Sequence, residues 1–106
     1  MYRDFTYIDD IITGTRSAIN KNYHCELFNL GNNKIEKIMK MISVIEDELG
    51  IKAIINFQAM QPGDVFKTCA DIEYTQQKIG FKPTVTITKG IPKLIKWYKD
   101  YYNVQL

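Results

Sequence analysis

The sequence predicts a small α/β domain of about four helices and two to four short strands. Three observations lead there. Apolar residues recur at helical spacing over 8–19 and 34–49. Between the helical stretches lie two short runs, His24–Leu30 and Ile51–Phe57, each leading into turn-forming residues. The chain of 106 residues is 45% hydrophobic and 25% charged, enough for one modest core and one domain over 1–106.

The elements follow in order. Ile8, Ile11, Ile12, Thr15, Ala18 and Ile19 fall on one helical face, with Asp9 or Asp10 as cap or first-turn acid. Gly14 weakens this helix and permits close packing, and Asn20-Lys21-Asn22 ends it. His24–Leu30 alternates loosely, as a strand does, and Gly31-Asn32-Asn33 closes it. A helix of about four turns is expected over Lys34–Leu49, with Ile35, Ile38, Met39, Ile42, Ile45 and Leu49 inward. Gly50 stands at its C′ position. Ile51–Phe57 is the second expected strand.

Asp71 is expected to cap a short helix running through Lys78, with Gly80 ending it and Phe81-Lys82-Pro83 leaving extended. For the last helix, a start at Thr86 would put Pro92 at the sixth helical position, at a cost of roughly 3 kcal/mol. A short turn over Thr86–Gly90 and a helix starting near Pro92 is the cheaper expectation.

Composition excludes several function classes. The formal charge of +2 is too small to imply a nucleic acid or an anionic membrane surface. No apolar run is long enough to span a bilayer, and the first residues contain no secretory h-region. Cys25, Cys69 and His24 offer no metal-ligand spacing, and the two thiols read as reduced core residues of a cytosolic chain. Lys93, Lys96 and Lys99 alternate with Trp97, Tyr98 and Tyr101, the pattern of an amphipathic core helix rather than a single-strand-binding face.

The chemistry-bearing stretch is Met60-Gln61-Pro62-Gly63-Asp64-Val65, followed by Thr68 and Ala70-Asp71. Pro62 and Gly63 force a turn that sets Gln61 and Asp64 at a surface, an amide and a carboxylate suited to a polar, hydroxylated ligand. Taken alone, Asp64 is a turn residue and Arg3 a solvated charge. A second stretch, Arg3-Asp4-Phe5-Thr6-Tyr7-Ile8-Asp9-Asp10-Ile11, raises both.

With Phe28-Asn29-Leu30-Gly31-Asn32, Gly80-Phe81-Lys82-Pro83, Gly90-Ile91 and Trp97-Tyr98, these stretches resemble the C-terminal part of extended short-chain dehydrogenase/reductase enzymes acting on nucleotide sugars. The pattern looks closest to the UDP-glucuronate 4-epimerases of bacterial capsule and surface-polysaccharide pathways. The resemblance covers essentially the whole chain. It implies the C-terminal substrate-binding portion of a Rossmann-type epimerase, without the Rossmann core. It also implies that Arg3 contacts the diphosphate of a UDP-sugar, a task its planar guanidinium suits. Asp64 would accept from ribose hydroxyls. Gln61 stands where UDP-galactose epimerases look to have an arginine, a departure similar to the glucuronate branch.

In that family NAD and the catalytic Tyr-x-x-x-Lys belong to the N-terminal half. This chain contains no Gly-x-Gly-x-x-Gly, so no NAD cofactor and no catalytic residue are expected within it. Tyr74 and Lys78 fit the bare Tyr-x-x-x-Lys spacing, but they fall in the short helix after Ala70-Asp71 and read as a chance pair. The expected partners are a UDP-sugar, a separate Rossmann half and, because apolar surface is left uncovered, further copies of the chain. Two other readings stand beside this one: a non-catalytic binding or oligomerisation module, and a folded remnant of a disrupted epimerase gene.

Overall fold

The computed structural model describes residues 1–105. In chain order it contains β1 (Tyr2–Asp4), α1 (Ile8–Lys21), β2 (Ile35–Lys37), α2 (Ile38–Leu49), α3 (Glu73–Ile79) and α4 (Ile87–Tyr102). This is the mixed α/β class that the sequence predicts, with four helices and two short strands among the described residues.

The strands are not the predicted ones. β1 and β2 pair antiparallel in the register Tyr2↔Lys37, Arg3↔Glu36, Asp4↔Ile35. On its other edge β1 meets residues 66–68 in a parallel bridge, where Tyr2 N–H donates to Phe66 C=O at 2.9 Å and Thr68 N–H donates to Tyr2 C=O at 3.2 Å. β1 is therefore the middle of a narrow three-segment ribbon. β2 also takes the first residues of the helix expected from Lys34, which starts instead at Ile38.

His24–Leu30 and Ile51–Phe57, both predicted as strands, are irregular. A strand exists only when its N–H and C=O groups find a neighbouring strand. Neither run finds one here. Ile54 is fully exposed and Phe57 80% exposed, so the β-favouring composition of 51–57 is real but its apolar side chains lie open.

The helix ends behave as their local chemistry dictates. Gly50 and Gly80 close α2 and α3 in the left-handed conformation, with φ of 69° and 68°. Asp71 Oδ1 accepts from Glu73 N–H at 3.1 Å, so the predicted capping carboxylate serves the start of α3 from just outside it. In α1 both Asp9 and Asp10 lie in the first turn, but the N-cap position is Tyr7. Asp10 is not a cap. It is buried and turned toward another segment.

α4 starts at Ile87 with Thr86 at the N-cap, and Pro92 sits inside it, contrary to the expected start near Pro92. Magnitudes explain the outcome. Proline costs roughly 3 kcal/mol in a helix interior. Starting at Thr86 buries Ile87 and Ile91 to 6% and 5% exposure, and each such burial contributes about 1.5–3 kcal/mol. Local propensity loses to packing.

The buried apolar core is small: Ile72, Ile79 and Phe81 form its cluster, with Ala18, Phe28, Leu30 and Ala70 packed against it. Gly14 admits this packing, since a Cβ there would lie 2.7 Å from Leu30 Cδ2 and 2.9 Å from Phe81 Cδ1. Much of the predicted inward face stays open, including Ile8, Ile12, Ile19 and Met39. Both cysteines are exposed rather than in the core, because the segments that carry them, 24–30 and 68–70, run over the surface as ribbon edges and loops.

The molecule is correspondingly open. It exposes 8134 Å² of surface, where a compact chain of this mass exposes about 6,100 Å². Its radius of gyration is 16.5 Å, against about 13 Å for a compact domain of this length.

Candidate functional site

The site is built around β1, because the motif stretches converge there. Arg3 occupies the centre of the strand and is half-buried. Its Nη1 donates to Tyr2 C=O at 2.8 Å, which holds the guanidinium back along the strand. Glu36 stands directly opposite in the ladder, yet its carboxylate is taken by Lys40 Nζ at 2.9 Å. The two ion pairs among the described residues, Lys40–Glu36 and Lys96–Asp100, leave Arg3 without a carboxylate partner.

The predicted turn is present. Asp64 N–H donates to Gln61 C=O at 3.1 Å, and Gly63 has φ of 89°. Pro62 at the second position and a positive-φ glycine at the third make the type II pattern. Gln61 and Asp64 are both exposed. Three residues after the turn, the chain joins the edge of β1 through the Tyr2↔Lys67 bridge. The turn and Arg3 are thus carried on adjoining segments, while no hydrogen bond joins Arg3, Gln61 and Asp64 to one another among the described residues.

Two carboxylates hold this arrangement. Asp4 Oδ1 accepts from Asn32 N–H at 3.0 Å, and Asp4 Oδ2 accepts from Asn33 N–H at 2.9 Å and Ala70 N–H at 3.0 Å. Asp10 Oδ2 accepts from Thr84 N–H at 3.1 Å and Val85 N–H at 3.0 Å, and its Oδ1 accepts from the Thr84 hydroxyl at 3.2 Å. A carboxylate that accepts several N–H groups makes strong, charge-assisted bonds. From the sequence, Asp10 is expected only as a helix cap or first-turn acid, and Asp4 has no role of its own. The available signal was the placement of each acid within a half-apolar stretch, where a carboxylate must be paired or solvated.

Beside Asp4 lies a cleft of about 300 Å³, whose walls come from Asp4 and Thr6, from Leu30 and Gly31, and from Thr68 and Ala70. An apolar hollow of about 270 Å³ lies under the first turns of α4, between Phe5, Tyr7, Met41, Ile87 and Leu94. It has no cluster of polar groups to orient a ligand and reads as imperfect packing. Among the described residues no group of three or more His, Cys, Asp or Glu side chains is placed to hold a metal ion. No helix among them is long and apolar enough to cross a membrane.

Tyr74 and Lys78 make a different contact from that of a catalytic Tyr-Lys pair. The Tyr74 hydroxyl donates to Glu26 Oε2 at 2.6 Å. That hydrogen bond to a carboxylate, with some desolvation, raises the phenol's pKa above 10.0. Lys78 Nζ lies over the ring, 5.7 Å from its centroid. A phenol that must ionise needs the opposite shift.

The likeness to known proteins follows this geometry. No family model matches the chain. A protein of Methanocaldococcus jannaschii is 45% identical over 100 residues, which are 94% of this chain and 31% of the relative. UDP-glucuronate 4-epimerase 4 of Arabidopsis thaliana is 36% identical over a gapped alignment of 115 positions that takes in 95% of this chain and 26% of the relative. Among solved structures, the UDP-glucuronic acid 4-epimerase of Bacillus cereus, crystallised with UDP-glucuronic acid and NAD, superposes with a TM-score of 0.86 at 34% identity. That superposition covers 95% of this chain and 33% of the epimerase.

In sequence and fold the chain corresponds to the C-terminal part of the extended short-chain dehydrogenase/reductase epimerases. It spans between about a quarter and a third of the length of the relatives it matches.

Proposed function

We propose that this chain is the nucleotide-sugar-binding portion of an NAD-dependent UDP-sugar epimerase of the UDP-glucuronate type, and that it carries out no epimerisation alone. The observation that carries the reading is the match along 95% of the chain to an epimerase solved with UDP-glucuronic acid and NAD. In this reading Arg3 contacts the diphosphate. Its guanidinium, unclaimed by any carboxylate among the described residues, supports that role. Asp64 accepts from ribose hydroxyls, and Gln61 contacts the same ligand from the other end of the turn. The exposure of both side chains supports it.

NAD does not fit this chain. The described residues contain no strand, glycine-rich turn and helix in succession that could seat a pyrophosphate. The cofactor and the catalytic Tyr-x-x-x-Lys then belong to a Rossmann half outside these 106 residues. The surface supports a partner of that size. The exposed area exceeds that of a compact chain by about 2,000 Å², within the range one partner contributes to an obligate interface. Ile54, Phe57, Met60 and Phe66 are part of that open surface. Two exposed free thiols suit a reducing compartment, the cytosol.

The same surface favours a second reading, a non-catalytic module that pairs with further copies of itself. Mixing the chain with the N-terminal two-thirds of the Bacillus cereus enzyme separates the two. A stable one-to-one complex that binds NAD and interconverts UDP-sugars supports the epimerase portion. Homo-oligomers that ignore the added half, under conditions where that half is folded, support the module and overturn the first reading.

A further inference from the structure

We infer that Asp4 is a positioning residue of the nucleotide-sugar half-site, its carboxylate fixing the strand of Arg3 against the segment that follows the Gln61–Asp64 turn. The inference rests on the reading given above and adds a residue to it. Three segments distant in sequence meet at this one side chain: β1 itself, the loop at Asn32 and Asn33, and the 66–70 segment at Ala70.

The alternative attachments are few. The 66–70 segment is held to β1 by two backbone hydrogen bonds, both to Tyr2, and by the Ala70 N–H to Asp4. Residues 61–69 are otherwise exposed. Without the carboxylate, Ala70 keeps its packing against the core cluster but loses its hydrogen bond to β1, and the backbone hydrogen bonds that set the register of 66–68 along the strand all rest on Tyr2.

The packing around the clamp is specific. A Cβ on Gly31 would collide with Ala70 Cβ and lie 3.1 Å from Asp4 Oδ2. Only a glycine lets the loop approach closely enough for the next two N–H groups to reach the carboxylate. Asn33 follows in the left-handed conformation, φ 53°, and its N–H reaches Asp4 Oδ2 at 2.9 Å. Arg3 itself is adjacent to Asp4 on β1, so whatever tilts the strand moves the guanidinium relative to the turn.

The test is Asp4→Asn in the 106-residue chain, followed by amide hydrogen exchange, thermal unfolding and calorimetric titration with UDP-glucuronate. Asparagine keeps the shape and one acceptor oxygen, so either Asn32 N–H alone or Asn33 and Ala70 N–H together lose their partner. The expected result is faster exchange at Asn32, Asn33 or Ala70, unchanged exchange in α2 and α4, and affinity lower by about tenfold. That loss corresponds to a competent arrangement populated one-tenth of the time. The Arg3 side-chain resonances, expected to shift with UDP in the parent chain, would shift less at saturation. A merely structural role would not change that endpoint.

Gly31→Ala is the second variant. It leaves Asp4 in place, pushes Ala70 away and is expected to weaken binding in the same direction. Parent and variant binding alike, with both folded, overturns the positioning role and leaves the half-site reading intact. A folded parent chain that shows no binding overturns both.

Discussion

The Asp4 carboxylate accepts the N–H of Ala70 at 3.0 Å across 66 residues of chain, and the Asp10 carboxylate does the same for Val85 at 3.0 Å across 75. One short stretch of sequence therefore ties the front of the chain to its middle and to its end. Asp4 governs the relation of β1 to the turn segment. Asp10 governs the approach of the α4 N-terminus to α1.

Asp10→Ala should destabilise the fold by about 1–3 kcal/mol, since it leaves the N–H groups of Thr84 and Val85 without their buried, charged acceptor. Asp10→Asn should cost less, because one oxygen remains. Urea unfolding of the two variants checks the order. Equal stability of Asp10→Ala and the parent would show that these hydrogen bonds are replaced by water.

Gly14→Ala sets two effects against each other. Alanine gains about 1 kcal/mol of helix propensity over glycine. Its Cβ, however, would meet Leu30 Cδ2 at 2.7 Å and Phe81 Cδ1 at 2.9 Å, and overpacking a core contact costs about 1–3 kcal/mol. The net change should be destabilising, with exchange protection lost first around Phe81. A stabilised variant would mean that the α1–Phe81 contact is loose.

Pro92→Ala should stabilise the chain. It restores the α4 N–H that bonds to the carbonyl four residues earlier and removes the ring's clash, an effect of up to about 3 kcal/mol. Thermal unfolding of the variant reads it directly. Loss of stability would mean that Pro92 packs in a way the helix depends on.

Tyr74 makes a pH-dependent contribution of known sign. Its hydrogen bond to Glu26 raises its pKa above 10.0, so folding favours the protonated phenol. The stabilisation is complete below pH 10 and is lost as pH rises through the raised value. Ultraviolet titration should show the Tyr74 phenol ionising late and returning toward the ordinary value in Glu26→Gln. No change in that variant would mean the contact is absent in solution.

The fold was legible in the sequence wherever structure is local. The periodicity of 8–19 gives α1, Gly50 and Gly80 give two helix ends, and Pro62-Gly63 gives the turn, because each depends on neighbours within a few residues. What escaped depends on distant partners. β1 and β2 are three residues each, too short for alternation to show, and are fixed by pairing across more than thirty residues. The runs 24–30 and 51–57 have strand composition, but no strand lies beside them. Pro92 pointed away from a Thr86 start that the burial of Ile87 and Ile91 outweighs. At the site, Arg3, Gln61 and Asp64 were reached through resemblance, whereas the Asp4 and Asp10 clamps are visible only once Ala70 and Val85 stand beside them.

The most direct test of the nucleotide-sugar half-site is heteronuclear NMR of the isotopically labelled chain titrated with UDP, UDP-glucuronate and UDP-galactose. The account predicts shifts at Arg3, Gln61 and Asp64, with the strongest response to UDP-glucuronate. A folded sample whose resonances at these three residues stay in place at millimolar ligand would contradict it.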